Sequence, residues 1–277
     1  MINFDLNKYR EFLLSKYALD YAKIQFNYVR KYSDLLENPN ELNNIPVSIR
    51  GNALKALINL SKYLGGYESF KSQLKNHGIK WVTTDNSFNS FLAIVNNQHS
   101  TLGNWYKSAM DVLPDNEKLY LKYTLVSGLR KDESIKSIML IQKLARENKL
   151  NEYWNTELGI LEHFKYGDLF LRNTKNVYIS IVSEELVQQI VSSKPIFYTT
   201  IRKHLEKNKL ILRIKELRSY FATFLRKNGI ISEYIDLIQG RIPRSVFVRH
   251  YLKVDDFKAL VTQVLAITEN LESSLLS

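Results

Sequence analysis

The sequence predicts a mainly α-helical protein with one small antiparallel β-sheet, which places it in the α+β class. Apolar residues recur at spacings of three and four through most of the chain, a pattern typical of amphipathic helices. Only residues 155–183 have a convincing β pattern, with apolar and β-branched residues on both sides of a polar turn. The length of 277 residues suffices for two modest domains or one large one.

The N-terminal region, residues 1–78, predicts a module of four helices. Apolar stripes at helical spacing cover residues 9–36 and are followed by a polar break around Pro39. The next two helices end at glycines, the first at Gly65-Gly66 and the second at Gly78. Taken alone, this region indicates no more than a helical bundle.

A change in pattern at residues 80–87 predicts a domain boundary. This segment carries polar and helix-capping residues and has little periodicity. We therefore expect one domain over residues 1–82 and a second over residues 83–277. Helical spacing resumes after Ser87.

A helix that begins near Pro114 leads into a turn that carries an arginine. The turn reads Gly128-Leu129-Arg130, and Glu133 follows three positions after the arginine. Glycine permits a tight backbone turn at this point. The Glu133 carboxylate is placed to hold the Arg130 guanidinium by a charge-assisted hydrogen bond.

The β stretch predicts a hairpin whose strands cover residues 167–172 and 177–182. Residues 159–164 are a candidate third strand. Two lysines lie in this region, Lys175 in the polar turn and Lys165 before the first predicted strand. An isolated lysine in an exposed turn is otherwise ordinary.

A basic helix is predicted over residues 196–210. Its cations Arg202, Lys203 and Lys207 are candidates for contacts with phosphate groups, since lysine and arginine supply many of the phosphate contacts that proteins make with DNA.

Residues 212–253 collect several cations before one late tyrosine. An amphipathic helix carries Lys215 and Arg218, which are three positions apart and so project from one face. Arg241 follows a second short helix, and Tyr251 comes ten positions later. Without further information, this stretch indicates a basic helical hairpin with a solvated face.

Two further helices are predicted near the C-terminus. The short helix before Arg241 is expected over residues 232–239, with Ser232 as its cap and Gly240 as its stop. An amphipathic helix is expected over residues 254–275. Its apolar face could pack on its own domain or on a neighbouring subunit, and the sequence is compatible with both.

Composition narrows the classes of function. The formal net charge of +11 favours a polyanionic partner: DNA, RNA or an anionic membrane surface. The absence of cysteine excludes disulfides, thiolate zinc sites and cysteine nucleophiles. The five histidines are scattered, so no metal site is expected. Without an apolar run of about 18 residues or a signal-peptide pattern, we expect a cytosolic protein without membrane spans.

The order of these motifs resembles the tyrosine recombinases, the integrases that cut and rejoin DNA. The matching parts are Gly-Leu-Arg-x-x-Glu at 128–133, Lys-x-x-Arg at 215–218, Gln-Gly-Arg at 239–241, and Tyr251. Lys215 and Arg241 stand where the family usually has histidines. The integrases of archaeal spindle-shaped viruses and related archaeal elements share these departures, and the chain resembles them most.

This resemblance implies a set of roles. Tyr251 would attack a phosphodiester and form a 3′-phosphotyrosyl link. Arg130 and Arg218 would neutralise the phosphate, with Glu133 supporting Arg130. Lys175, or Lys165 in its place, would give a proton to the leaving oxygen. Lys215 and Arg241 would donate hydrogen bonds to the phosphate.

The resemblance also implies an assembly. Residues 1–82 would clamp DNA and residues 83–277 would form the catalytic domain. The partner would be double-stranded DNA carrying an attachment site, without cofactor or metal. We expect a monomer in solution, a tetramer on DNA and a cytoplasmic, nucleoid-associated location. The alternatives are a catalytically inactive DNA-binding relative, an activity like that of type IB topoisomerases, and an unrelated basic helical protein that binds RNA.

Overall fold

A computed structural model describes residues 4–79, 95, 100–172, 175–242 and 256–277. The chain divides into two compact units, residues 1–97 and 98–277. Both units are mainly helical, and the second contains a small three-stranded antiparallel sheet, so the predicted α+β character is confirmed. The boundary predicted at residues 80–87 lies outside the described residues.

Residues 4–79 of the first unit contain four α-helices, as predicted for this region, and two short 3-10 helices separate the second from the third. The helices are α1 (Leu6–Lys16), α2 (Leu19–Tyr32), α3 (Val47–Tyr63) and α4 (Tyr67–Asn76). Their apolar faces meet in one core, whose fully buried members include Tyr9, Leu13, Val29, Leu57 and Leu60. Burial of these stripes is what stabilises helices of this length.

The second unit begins with three helices: α5 (Ser100–Val112), α6 (Asp115–Ser127) and α7 (Lys131–Arg146). Helix α6 ends because Gly128 adopts a left-handed conformation, with φ of +62°. The Glu133 carboxylate accepts a hydrogen bond from the backbone N–H of Arg130, at 3.0 Å, and so caps the start of α7.

The sheet has the strand order β1-β2-β3, with strands β1 (Trp154–Asn155), β2 (Ile160–Leu161) and β3 (Ser180–Ile181). Both pairings are antiparallel. Strand β2 lies inside the candidate strand 159–164, and β3 lies inside the predicted strand 177–182.

The strand predicted over residues 167–172 is wrong. A 3-10 helix (His163–Tyr166) and the short helix α8 (Gly167–Phe170) occupy this region instead. The apolar side chains that reach the core here are Tyr166, Leu169 and Phe170, and their spacing of three and four is helical rather than alternating.

The other helices among the described residues are α9 (Glu184–Ser192), α10 (Tyr198–Lys207), α11 (Ile214–Lys227), α12 (Ser232–Ile238), α13 (Phe257–Glu269) and α14 (Leu271–Leu276). Ser232 does not cap α12, because Ile231 occupies the cap position and the Ser232 hydroxyl bonds Glu233 at 3.1 Å. The helix predicted over residues 254–275 is divided into two at Asn270.

The C-terminal helix α14 packs within its own unit. The side chains of Leu271 and Leu275 are buried. The carbonyl of Leu275 approaches Gly103 on α5 so closely that a Cβ at position 103 would overlap it. Tyr106 on α5 donates a hydrogen bond to Glu272 at 2.8 Å. None of the described helices combines the length and apolar character needed to cross a membrane.

Candidate active site

Arg218 lies at the centre of a cluster of basic side chains in the second unit. Its side chain is buried, with the residue 8% exposed, in the middle of α11. One guanidinium nitrogen donates to the carbonyl of Gly128 at 2.6 Å, and another donates to the carbonyl of Gln239 at 2.7 Å. The Gln239 amide donates back to the carbonyl of Arg218 at 3.1 Å. Arg218 therefore joins the turn before α7 to the end of α12.

The Arg218 guanidinium is buried, and among the described residues it forms no ion pair with an acidic side chain. Burial, helped by the positive charges of Arg130 and Arg241, lowers the pKa of Arg218 to about 10, although Glu133 and Asp236 act in the opposite direction. Arg218 therefore stays protonated at neutral pH. A buried cation whose described partners are neutral carbonyls favours an anion that can approach it.

The Gly128 turn is shaped by its contact with α11. A Cβ at position 128 would overlap the ring of Phe221, which lies one turn after Arg218 on the same helix. Glycine also accepts the positive φ at little cost. The turn can therefore pack closely against α11, and the Gly128 carbonyl can accept a hydrogen bond from the Arg218 guanidinium.

Arg130 is held by Glu133, as the sequence predicted. The guanidinium donates to Glu133 Oε1 at 2.7 Å, and the backbone N–H donates to Glu133 Oε2. The carboxylate is buried, while the Arg130 side chain keeps about a quarter of its surface, 28%, exposed. The arrangement fixes one edge of the Arg130 guanidinium and leaves part of it accessible.

A second arginine, Arg172, shares the Glu133 carboxylate and was missed by the sequence reasoning. Its Nη2 donates to Glu133 Oε1 at 2.8 Å. The available signal was its position three residues before Lys175, in Arg-Asn-Thr-Lys. One buried carboxylate between two guanidiniums leaves this part of the cluster with a net positive charge.

The loop that carries Lys175 is closed by its own hydrogen bonds. The Arg172 N–H donates to Asn176 Oδ1 at 2.7 Å, and Arg172 Nε donates to the carbonyl of Lys175 at 3.3 Å. Gly240, with φ of +69°, lies against the backbone of Asn176, where a Cβ would overlap the carbonyl. The Lys175 loop therefore rests on the residue between Gln239 and Arg241.

The two candidate lysines have different surroundings. The Lys165 ammonium forms an ion pair with Glu162, whose carboxylate also accepts a hydrogen bond from Asn155 at 3.2 Å. The Lys175 side chain is exposed and makes no ion pair in the described part of the chain. This difference favours Lys175 as the cation able to meet a ligand.

Arg241 and Lys215 lie at the margin of the cluster. The Arg241 guanidinium donates to Gln239 Oε1 at 2.6 Å and to Asp236 at 3.1 Å, and the residue is exposed. Lys215 is exposed one turn before Arg218 on α11. Tyr251 lies outside the described residues.

The three cations proposed for phosphate contacts lie on α10. Arg202, Lys203 and Lys207 are all exposed. Arg202 is paired with Glu206 at 2.6 Å. The described side-chain bonds of this helix do not connect these cations to the Arg218 cluster.

A buried polar chain links the helices to the sheet of this unit. Hydrogen bonds of 2.6–2.9 Å join Tyr123, Ser137, Tyr153, His163 and Ser180 in that order. Burial lowers the pKa of His163 to about 3, so its ring is neutral near pH 7. This network fixes the beginning and end of the β2–β3 connection, which carries both Lys165 and Lys175.

The arrangement is suited to hold an anion with oxygens on several sides. Arginine presents planar pairs of N–H donors that match phosphate oxygens, and lysine adds a compact charge with three donors. No group of three or more histidine and acidic side chains that could hold a metal occurs among the described residues.

The comparisons with known proteins found one family match. The model of a family described as archaeal phage integrase matches residues 116–259, which is just over half of the 277-residue chain. The match spans the Gly128 turn, the Lys175 loop, Arg218, Arg241 and Tyr251. No curated protein and no solved structure matched the chain.

Proposed function

The chain belongs to the archaeal phage integrase family, and from this premise we propose that it is a site-specific recombinase that cleaves and rejoins DNA strands through a 3′-phosphotyrosyl intermediate. The observation that carries the proposal is the buried Arg218 guanidinium, which donates to two carbonyls and has no carboxylate partner among the described residues. A DNA phosphate is the anion that would complete this site.

Arg130 and Arg218 would stabilise the phosphate during the reaction. The charge on the non-bridging oxygens must be neutralised while the tyrosine attacks. Both guanidiniums are fixed before DNA arrives, Arg130 by Glu133 and Arg218 by the two carbonyls. Donors that need no reorganisation stabilise a transition state more than mobile ones. Arg241 and Lys215 would add hydrogen bonds from the margin.

The proposed transfer conserves atoms and charge. The phenolic oxygen of Tyr251 forms a bond to phosphorus as the bond from phosphorus to the 5′ oxygen breaks, and the Lys175 ammonium gives its proton to that oxygen. An unperturbed tyrosine has a pKa of about 10, so the surrounding cations would favour its ionised form. Arginine remains protonated in proteins, so the proton of the phenol would pass to solvent water before the attack rather than to Arg241. Reversal of these steps rejoins the strand without a nucleotide cofactor.

The exposed cations would contact the DNA backbone outside the cluster. On α10 these are Arg202, Lys203 and Lys207. The first unit presents a groove between α3 and α4 with lysines on its walls; they are Lys55, Lys62, Lys71 and Lys75. We propose that this unit clamps the duplex, that four copies assemble on DNA, and that the free protein is a monomer.

Covalent trapping tests the proposal directly. A library of nicked duplexes with a randomised central sequence is incubated with the protein in EDTA and then run on a denaturing gel. Cleavage next to the nick releases a short fragment, so the covalent product cannot be resealed. Sequences recovered from the protein-linked DNA then define the substrate for later measurements.

Variants of the trapping experiment test the roles of Tyr251 and Arg218. Wild-type protein is expected to form a protease-sensitive adduct that Tyr251→Phe and Arg218→Ala abolish. Tyr234→Phe is the matched control, since Tyr234 is a half-buried tyrosine of the same unit, and it is expected to form the adduct. DNA retention in a gel shift without any adduct would indicate a binding protein. If the protein neither retains DNA in the gel shift nor forms an adduct, the proposal is overturned.

A further inference from the structure

We propose that Arg172 is a positioning residue that couples the Glu133–Arg130 pair to the loop carrying Lys175, so that proton donation depends on it. The inference rests on the proposed function and adds to it a residue outside the motifs that the sequence reasoning identified. A single guanidinium bonds both the carboxylate that holds Arg130 and the carbonyl of Lys175.

The first link is the shared carboxylate. Glu133 is buried and its Oε1 accepts from Arg130 at 2.7 Å and from Arg172 at 2.8 Å. Both guanidiniums are therefore ordered by the same oxygen atom. A carboxylate with two charge-assisted donors has little freedom to rotate, so it holds the Arg172 guanidinium in place. Arg130 is also bound through its backbone N–H to Glu133 Oε2, so loss of the Arg172 side chain would leave Arg130 held.

The second link is the loop itself. Arg172 bonds the loop at two points, through its backbone N–H to Asn176 and through Nε to the carbonyl of Lys175. The Val177 N–H donates to the carbonyl of Phe170 at 3.2 Å and closes the base of the same loop. Gly240 then supports the Asn176 backbone from the side of α12. Removal of the Arg172 side chain would keep the contact between Gly240 and Asn176. It would remove the hydrogen bond to the carbonyl of Lys175 and so leave the Lys175 backbone less restrained.

The position of Arg172 favours this role over a general contribution to DNA affinity. Its Nη2 and Nε are both engaged within the protein. The planar guanidinium spans two acceptors at once, which lysine cannot do in the same geometry. Arg172→Lys would therefore keep the charge and weaken the coupling, because the ammonium can bond only one of the two acceptors at a time.

A substrate with sulfur in place of the scissile 5′ oxygen distinguishes these roles. The phosphorus–sulfur bond breaks to give a thiolate, which needs no proton because a thiol has a pKa of about 8.5, far below that of an alcohol. Loss of proton donation is therefore rescued by sulfur, whereas loss of phosphate stabilisation is not.

The experiment measures single-turnover rates of adduct formation on matched oxygen and sulfur substrates. General acid catalysis contributes about 10²–10⁴-fold, so Arg172→Ala, which misplaces the ammonium, is expected to slow cleavage of the oxygen substrate by about 10- to 100-fold. On the sulfur substrate its rate is expected to lie within about threefold of wild type. Lys175→Ala is expected to show the same rescue.

The controls separate charge, folding and chemistry. Arg146→Ala removes an exposed arginine from the helix that carries Glu133 and is expected to leave both rates unchanged. Thermal unfolding reports whether Arg172→Ala still folds. If it does not, Arg172→Lys replaces it, with a smaller defect on oxygen and the same rescue by sulfur.

The outcomes distinguish this inference from the proposed function. No adduct from wild-type protein on either substrate would remove the proposed function. Failure of sulfur to rescue Lys175→Ala would remove Lys175 as the proton donor, and the inference with it. A third outcome would overturn the inference about Arg172 and leave the proposed function intact. In it, wild-type protein forms the adduct and sulfur rescues Lys175→Ala, but the Arg172→Ala defect is equal on both substrates or absent on both.

Discussion

The Arg218 guanidinium donates a 2.6 Å hydrogen bond to the carbonyl of Gly128, a residue 90 positions earlier in the chain. This single contact ties the turn before Arg130 to the helix of the second main arginine. The matching bond to Gln239 brings in the residues before Arg241. Hydrogen bonds to backbone carbonyls, rather than ion pairs, thus join the segments that carry Arg130, Arg218 and Arg241.

Arg218→Lys is expected to destabilise the protein and to abolish adduct formation. Lysine cannot reach both carbonyls with a planar pair of donors, and a buried carbonyl left without a donor costs about 1–3 kcal/mol. Chemical denaturation measures the stability. Arg226→Lys, an exposed change on the same helix α11, is the control and is expected to be neutral. Equal stability of the two variants would contradict the structural role of Arg218.

Gly240→Ala is expected to lower the free energy of unfolding by more than backbone strain alone would, because the new Cβ overlaps the Lys175 loop. Gly229→Ala provides the comparison, because Gly229 also has a positive φ, +92°, but has open space around it. The strain of a left-handed alanine costs about 1–2 kcal/mol, and the overlap with Asn176 adds about 1–3 kcal/mol at position 240. The free energies of unfolding of the two variants check this difference, and an equal loss at both positions would count against the contact.

His163 is expected to make folding stability depend on pH below its ordinary pKa of 6.5. The folded-state pKa is lowered by burial to about 3, so the unfolded chain binds the proton first. Stability should therefore be fully present above about pH 6.5 and fall by about 1.4 kcal/mol per pH unit as the pH decreases towards the folded-state pKa.

Urea unfolding of wild-type protein and His163→Gln at about pH 7 and pH 5 checks this expectation. The variant should lose the part of the pH dependence that His163 contributes, about 2 kcal/mol across this interval. His77→Gln is the control, since His77 is exposed in the first unit. Identical pH dependence in wild-type protein and His163→Gln would show that the folded ring does take up a proton.

Leu271→Ala is expected to cost about 2–5 kcal/mol, the usual range for removing a fully buried leucine side chain. Leu271 is 0% exposed, whereas Leu276 on the same helix α14 is 47% exposed. Leu276→Ala should therefore change stability by less than about 0.5 kcal/mol. Unfolding of the dilute protein tests both. A small effect of Leu271→Ala would mean that α14 does not pack on its own unit in solution.

Local patterns in the sequence were sufficient for most helices. The helix ends at Gly65-Gly66 and at Gly78 were predictable because glycine ends a helix within one turn of the chain. The acid that holds Arg130 was predictable for the same reason, since Glu133 is only three residues away. Helix α8 was mistaken for a strand because a segment of four residues is too short to reveal its period.

The contacts between distant segments could not be predicted from the sequence. Nothing in the residues around Gly128 indicates that its carbonyl meets Arg218, because the contact depends on how α6 and α11 pack. Arg172 looked like an ordinary charged residue until the structure placed it against Glu133. The ion pair between Lys165 and Glu162, by contrast, joins residues only three positions apart and could have been predicted from the sequence.

The most direct test of the proposed mechanism is the identity of the residue linked to DNA. The adduct formed in EDTA is digested with protease and nuclease, and the modified peptide is sequenced by tandem mass spectrometry. The expected result is a nucleotide joined through its 3′ phosphate to the side chain of Tyr251. A phosphate on another residue, or cleaved DNA with free 3′ ends and no attached protein, would contradict the account.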